Sequence, residues 1–186
     1  KRYTNYPFLL RDSISLATVG GDFGVIGNQL ATATSEGRAF GLELTYQQKL
    51  YKGLFGIAAI TLVRSEFQDI NGDYVPSSWD NGLIATFTFG KRFGKNYELG
   101  IQYQHLGGAP YTPFDLDKTA TIYNWDVLGR GIPNYSLLNT ERFGEFDRLN
   151  IRIDKKWFLK NVNIDLYFDL QNALGYSVAE IGRAHV

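Results

Sequence analysis

Acidic residues recur at short spacings in the last third of the chain, and paired carboxylates are what general acid–base hydrolysis needs. Asp165 lies four residues before Asp169, and Asp147 lies seven before Asp154. A glycosidase holds its two carboxylates on opposite sides of a bound sugar. The spacing of Asp165 and Asp169, however, places both on one face of a strand. We therefore expect wall residues rather than a catalytic pair, and a protein that is not an enzyme.

Residue types that bind metals are scarce. The chain has no Cys and two His, of which His185 lies in a tail that we exclude below, so His105 is the only internal histidine. The run from Asp69 to Asp73 is similar to a calcium loop, but Tyr74 occupies the sixth position, where such loops need Gly. We predict a plain turn there, no metal site and no cofactor.

Charge and hydropathy exclude two further classes. The 19 basic and 19 acidic residues cancel and are mixed along the chain, which predicts no nucleic-acid partner because a basic stripe is missing. No apolar run is long enough for a transmembrane helix. If the chain crosses a membrane, it must do so with strands that form a barrel.

Strict alternation of apolar and polar residues is the strongest pattern. Leu149, Ile151 and Ile153 alternate with charged or amide side chains, as strand residues with one apolar face do. After a mixed start, the pattern predicts six antiparallel strands, near residues 37–49, 53–64, 82–93, 97–104, 148–158 and 162–170. In 53–64 both faces carry apolar residues, so the pattern leaves the facing of that strand open.

The connections alternate between short and long. Short turns are predicted at 50–52, 94–96 and 159–161, with aromatic residues beside each, and long polar loops at 65–81 and 106–145. Outer-membrane barrels have tight turns on one side, large loops on the other and aromatic girdles. We predict an all-β fold, an antiparallel transmembrane β-barrel fragment. The alternative is a secreted antiparallel domain whose apolar face is a core, although its other face would be unusually polar and its edges open.

Six segments occur in an order that resembles a known family. They are 5–8 (NYPF), 37–44 (GRAFGLEL), 77–80 (SSWD), 107–113 (GGAPYTP), 148–155 (RLNIRIDK) and 169–172 (DLQN). Together they resemble the carboxy-terminal barrel region of TonB-dependent outer-membrane receptors of the Bacteroidetes type. The resemblance extends to about Tyr176. It implies a barrel of roughly 22 strands with a plugged lumen, of which this chain supplies about six.

The resemblance also implies partners and a location. We expect residues 1–179 to be a partial barrel in the bacterial outer membrane, with the plug domain and the last strand absent. The sequence contains no Met and begins with Lys1, so we expect it to be a piece of a longer reading frame. Expected partners are outer-membrane lipid, the protein's own plug, the TonB complex through the missing amino-terminal part, and a nutrient ligand. A lipoprotein lid, present in some relatives, is neither indicated nor excluded.

Residues 180–186 (EIGRAHV) break the patterning and resemble a translated sequencing adapter, so we exclude them as non-native. The expected function is energised uptake of a scarce ligand such as an iron chelate, cobalamin, an oligosaccharide or a peptide. The alternatives are a plug-less outer-membrane pore or adhesin, and a secreted carbohydrate-binding β-domain. The flanking sequence would distinguish the receptor from the plug-less barrel, and solubility without detergent would identify the secreted domain.

Two sets of residues are candidates for contact with plug or ligand. Arg148 and Arg152 are best suited to pair with plug carboxylates, because Arg makes bidentate contacts and keeps its charge. The lumen-facing set also has a simpler role, which is to solvate the inner wall, and the aromatic set could simply pack inside the loops. The lumen-facing candidates are Glu43, Arg148, Arg152, Asp154, Asp165 and Asp169, and the ligand-binding loop candidates are Trp79, Tyr111, Tyr123, Trp125 and Tyr135.

Overall fold

The computed structural model describes residues 1–19, 29–128 and 131–177. The tail predicted at 180–186 and the last two residues of the predicted barrel segment lie outside these ranges. The strands are β1 (Arg2–Leu9), β2 (Ile14–Ser15), β3 (Ala31–Tyr51), β4 (Leu54–Gln68), β5 (Tyr74–Pro76), β6 (Leu83–Phe93), β7 (Tyr97–Leu106), β8 (Pro110–Tyr111), β9 (Glu141–Arg142), β10 (Phe146–Phe158) and β11 (Asn163–Leu170). Two short helices, α1 (Leu116–Thr119) and α2 (Ile122–Leu128), lie between β8 and β9. The all-β prediction is confirmed.

One mostly antiparallel sheet contains the strands that the alternation predicted. Its order is β11-β10-β7-β6-β4-β3-β1-β2, with β5 added to β4, while β8 and β9 form a separate pair. Within the described ranges no closed barrel is detected. None of the helices described here is long and apolar enough to span a membrane.

The predicted loops contain more regular structure than their composition indicated. β4 continues to Gln68, and β5 folds back onto it, with Phe67 opposite Val75. Between them the Asp69 carboxylate accepts the N–H groups of Asn71 and Asp73, both at 2.9 Å. This side-chain-capped turn fits the plain turn predicted there. The 106–145 segment, predicted as irregular, carries β8, α1, α2, a 3₁₀ turn at Tyr135–Leu137 and β9.

The strand register settles the facing that periodicity left open in β4. Ala58 pairs with Phe87 and Ile60 with Ala85 across the antiparallel ladder, so these side chains share one face of the sheet. Phe55, opposite Gly90, lies on the other face. β4 is therefore apolar on both faces because its aromatic and aliphatic residues cover glycines and small residues of β6.

In the β4–β6 pair, one glycine of each strand is covered by an aromatic ring of the other strand. The Phe55 ring covers Gly90, where a Cβ atom would lie 2.2 Å from the Phe55 Cζ atom. One register step away, the Phe89 ring covers Gly56, where a Cβ would lie 2.4 Å from the ring. An aromatic side chain that packs over a cross-strand glycine compensates for the missing side chain. These pairs fix the register of β4 on β6.

Replacing Gly90 with Ala will lower the free energy of unfolding by about 1–3 kcal/mol, because the methyl group displaces the Phe55 ring. Gly100 is the register partner of Gly90 on the same face, and a Cβ there meets only the Arg152 carbonyl oxygen, at 3.9 Å. Gly100→Ala is therefore the matched control and will change stability far less. Denaturant titration of both variants measures the difference. Equal effects would show that the Phe55 contact is unimportant.

Two compact units are distinguished by their contacts, and we describe each by itself. The loop unit comprises residues 1–40, 63–82 and 108–143, and the sheet unit comprises 41–62, 83–107 and the chain from Gly144 onward. The loop unit has a small apolar core of Leu9, Ile14 and Leu138. In the described part of the sheet unit, Ala85 is the only buried apolar side chain.

Candidate functional site

The sheet unit has one polar face, formed by alternate residues of β6, β7, β10 and β11. Gln104 lies opposite Arg148 and Gln102 opposite Asn150, while Arg152 lies between Gly100 and Asp169. Of the six lumen-facing candidates, the structure places Arg148, Arg152, Asp154, Asp165 and Asp169 on this face. Glu43 lies in β3 with an exposed side chain.

Arg152 is held within the polar face by its own neighbours. Its guanidinium makes a bidentate contact with the Asp154 carboxylate, with Nη2 at 2.7 Å from Oδ1 and Nε at 3.0 Å from Oδ2. The same guanidinium stacks on the Tyr167 ring, 4.0 Å from its centre. Asp154 is buried by these contacts. Arg152 therefore serves chiefly to neutralise Asp154, which leaves it poorly placed to bind an incoming carboxylate.

Arg148 has more donor capacity to spare. Its Nε donates to the Asn150 Oδ1 atom at 3.2 Å, and a guanidinium has five N–H donors. Asn150 in turn donates to the Gln102 Oε1 atom at 3.0 Å and accepts the Asn172 backbone N–H at 3.0 Å. The sequence analysis did not single out Asn150 and Gln102, although both occupy polar positions of the alternation. They orient Arg148 on the polar face.

The remaining acids of this face also have polar partners. Asp165 lies 3.8 Å from the Lys156 ammonium, and Arg92 pairs with Glu98 at 2.8 Å. Within the described residues, no group of three His, Cys, Asp or Glu side chains is arranged to hold a metal ion. The polar face thus consists of ion pairs and amide side chains, with positive and negative groups next to each other.

The opposite face of the same strands is apolar and exposed. It carries Phe87 and Phe89 of β6, Ile101 of β7, Ile153 of β10 and, on β11, Ile164, Leu166, Phe168 and Leu170. Leu166 and Phe168 are 65 % and 67 % exposed. A soluble two-layer protein would bury such a face against a second layer. We call this surface the apolar face.

Aromatic rings and lysines border the apolar face beside the short turns. Phe93 and Tyr97 stack with ring centres 5.7 Å apart. The Lys155 ammonium lies 4.0 Å from the centre of the Tyr97 ring and 5.5 Å from that of Trp157. Amphipathic rings and long cationic side chains in this arrangement are typical of a membrane–water interface. We call this border the aromatic belt.

A polar cluster borders the apolar face at the opposite ends of β7 and β10. Tyr103 donates its hydroxyl to the Asp147 carboxylate at 2.5 Å, and the His105 Nδ1 atom lies 2.9 Å from the same oxygen. Tyr97 and His105 are the ends of a nine-residue stretch of β7. A transmembrane β-strand has about 9–11 residues because it crosses the bilayer at a tilt of about 45°. The two borders therefore have the spacing of a tilted membrane-spanning strand.

In the loop unit a buried carboxylate joins three segments. The Asp80 side chain is 0 % exposed and lies 3.4 Å from both Arg64 and Arg142. Arg142 also donates to the backbone carbonyls of Asp80, at 2.5 Å, and Gly108, at 2.9 Å. Neither arginine was a candidate from the sequence, since only the folded segments bring them to Asp80. The cluster makes the long connections a packed unit.

A second polar anchor stabilises the loop unit. The Asn139 side chain donates to the carbonyls of Thr18, at 3.2 Å, and Pro76, at 2.8 Å, and its backbone N–H donates to the Thr112 hydroxyl. Long-range bonds of Asn139 thus tie four segments together.

Elsewhere in the unit, a hydrogen bond from the Lys118 side chain lowers the pKa of the Asp115 carboxyl, which also caps α1.

The five aromatic candidates differ in their surroundings. Trp79 and Tyr123 are 75 % and 76 % exposed, and Trp125 on α2 is also exposed. Tyr111 instead stacks on Phe143, with ring centres 4.4 Å apart. Tyr135 packs against the small apolar core. Trp79, Tyr123 and Trp125 are therefore the rings accessible to a ligand, while Tyr111 and Tyr135 help to hold the loops.

No protein-family model, curated protein or solved structure matches this chain.

Proposed function

We propose that this chain forms part of the wall and external loops of a TonB-dependent outer-membrane receptor. In this proposal the apolar face contacts lipid, the polar face lines the lumen, and the loop unit is exposed outside the cell. The receptor takes up a scarce ligand, an iron chelate, cobalamin, an oligosaccharide or a peptide, with energy transmitted through the TonB complex.

The observation that carries the proposal is the exposed apolar face with its two borders. Apolar side chains as exposed as Leu166 and Phe168 destabilise a protein in water but stabilise it in lipid. The aromatic belt and the Tyr103 cluster lie on this face, separated by the length of a tilted membrane-spanning strand. The alternation of short turns and long connections agrees with the same placement.

The polar face and the loop unit have separate roles in the proposed receptor. Arg148, which retains free donors, faces the plug and pairs with its carboxylates. Trp79, Tyr123 and Trp125 offer exposed rings for stacking on a ligand at the mouth. The buried Asp80 cluster fixes the loop next to Trp79, which lowers the entropic cost of binding there.

Sequencing the source DNA across both ends of the chain tests this proposal. We expect an upstream signal peptide and a compact plug domain, and a downstream closing strand that ends in an aromatic residue. A start codon close upstream, with no plug and few further strands, would instead support a small pore or a soluble sheet domain. The outcome does not depend on expression or refolding of the chain.

A further inference from the structure

The short turns of the sheet unit are rich in positive charge. The acids near them are engaged, since Glu98 pairs with Arg92, Asp154 with Arg152 and Asp165 with Lys156. The basic residues flanking the three turns are Lys49, Lys52, Lys91, Arg92, Lys95, Lys155, Lys156 and Lys160. A surplus of cations therefore surrounds this end of the strands.

Two of these lysines lie on the apolar face, where a charge is costly unless it reaches water or a headgroup. Lys91 lies opposite Leu99, and Lys155 lies opposite Tyr97 and Leu166. Their neighbours along the face are apolar or aromatic. Lysine side chains in such positions extend their ammonium groups to the membrane interface.

The ammonium groups of both lysines retain donors for an anion. Lys91 donates to the Lys52 carbonyl at 3.1 Å, and Lys155 donates to the Lys95 carbonyl. Among the described residues neither lysine forms an ion pair with a carboxylate. Since an ammonium has three N–H donors, each can still bind a phosphate oxygen. The contacts to Lys52 and Lys95 place both ammonium groups beside the turns.

We infer that Lys91 and Lys155 form a binding rim for the phosphate groups of anionic phospholipids, at the membrane surface next to the short turns. This inference rests on the proposed placement of the apolar face in lipid. The Tyr97 and Trp157 rings hold the Lys155 ammonium at headgroup depth. Basic residues near an anionic surface each add about 1 kcal/mol of attraction. The rim therefore selects membranes with negative headgroups.

Binding of the full chain to lipid vesicles tests this rim. The chain is diluted from urea into vesicles of phosphatidylcholine alone or with about one third phosphatidylglycerol, and binding is followed by Trp fluorescence. We expect tighter binding to the anionic vesicles. Lys91→Gln and Lys155→Gln will each remove about fivefold of that preference, which corresponds to about 1 kcal/mol. High salt will weaken the preference in the same direction.

Lys156→Gln is the matched control, because Lys156 is adjacent in β10 but lies on the polar face opposite Asp165. It removes the same charge and will leave the preference nearly unchanged. The rim is overturned if Lys156→Gln loses as much of the preference for anionic vesicles as Lys155→Gln does. It is also overturned if the parent chain binds equally to both vesicle types. Competition by inorganic phosphate beyond that of sodium chloride at equal ionic strength would show a free-phosphate site instead. Binding to neither vesicle type would refute the membrane placement itself.

Discussion

Replacing Ile101 with Arg will lower the free energy of unfolding of the vesicle-inserted chain by about 2–4 kcal/mol, the cost of Arg near the midplane of a barrel. Ile101 lies midway along β7 on the apolar face, opposite Phe89 and Ile151. Tyr97 and His105, at the two borders of that face, are four residues away on either side. Urea titration in phosphatidylcholine vesicles, followed by Trp157 fluorescence in a Trp79→Phe/Trp125→Phe background, measures the change.

Gln102→Arg is the control, because Gln102 is the next residue and lies on the polar face opposite Asn150. In a water-filled lumen this arginine stays solvated, so we expect a change within about 1 kcal/mol. The two substitutions introduce the same side chain into the same strand on opposite faces, and Gln102→Arg also removes the acceptor of one hydrogen bond from Asn150, at 3.0 Å. If Ile101→Arg and Gln102→Arg were equally mild, the apolar face would not contact lipid.

Replacing Arg142 with Met will destabilise the loop unit by about 3–5 kcal/mol, the range for a buried charge that loses a partner. Asp80 has no exposed side-chain surface, and Arg142 also donates to two backbone carbonyls, those of Asp80 and Gly108. Met preserves the apolar part of the arginine side chain and removes its donors. Denaturant titration followed by Trp79 and Trp125 fluorescence, in a Trp157→Phe background, reports on this unit.

Arg64→Met provides the comparison within the same cluster. Arg64 is more exposed than Arg142 and makes one contact with Asp80, at 3.4 Å, so its removal will cost about 1 kcal/mol or less. Similar losses for the two arginines would mean that the backbone bonds of Arg142 add nothing. Both arginines belong to the loop unit and not to the sheet unit that carries the apolar face, so insertion into vesicles will be retained.

Most of the long strands were predictable because apolar and polar residues alternate along them. In β10, Leu149, Ile151 and Ile153 oppose polar residues, and the structure places them on one face as expected. β4 was not assignable, since Phe55 and Ile57 on one side and Ile60 and Leu62 on the other are all apolar. Its facing depends on which residues of β6 it covers, and only the register supplies that.

The loop unit could not be predicted beyond its polarity and its turns. Asp80 and Arg142 are 62 residues apart, and Asn139 binds the carbonyl of Thr18 over a separation of 121. Sequence periodicity carries no information about such pairs, because they depend on how distant segments fold together. For the same reason the sequence left both ligand binding and loop packing open for the five aromatic candidates, and only the structure shows that Tyr111 and Tyr135 pack.

The most direct test of the central claim is the depth of Trp157 in a bilayer. A Trp79→Phe/Trp125→Phe variant leaves Trp157 as the only tryptophan, and it is inserted into vesicles that contain brominated phospholipids. Trp157 belongs to the aromatic belt, so bromines close to the headgroups will quench it strongly, and bromines near the methyl ends of the acyl chains will quench it weakly. Equal fluorescence with and without bromine at every depth would contradict the placement of the apolar face in lipid.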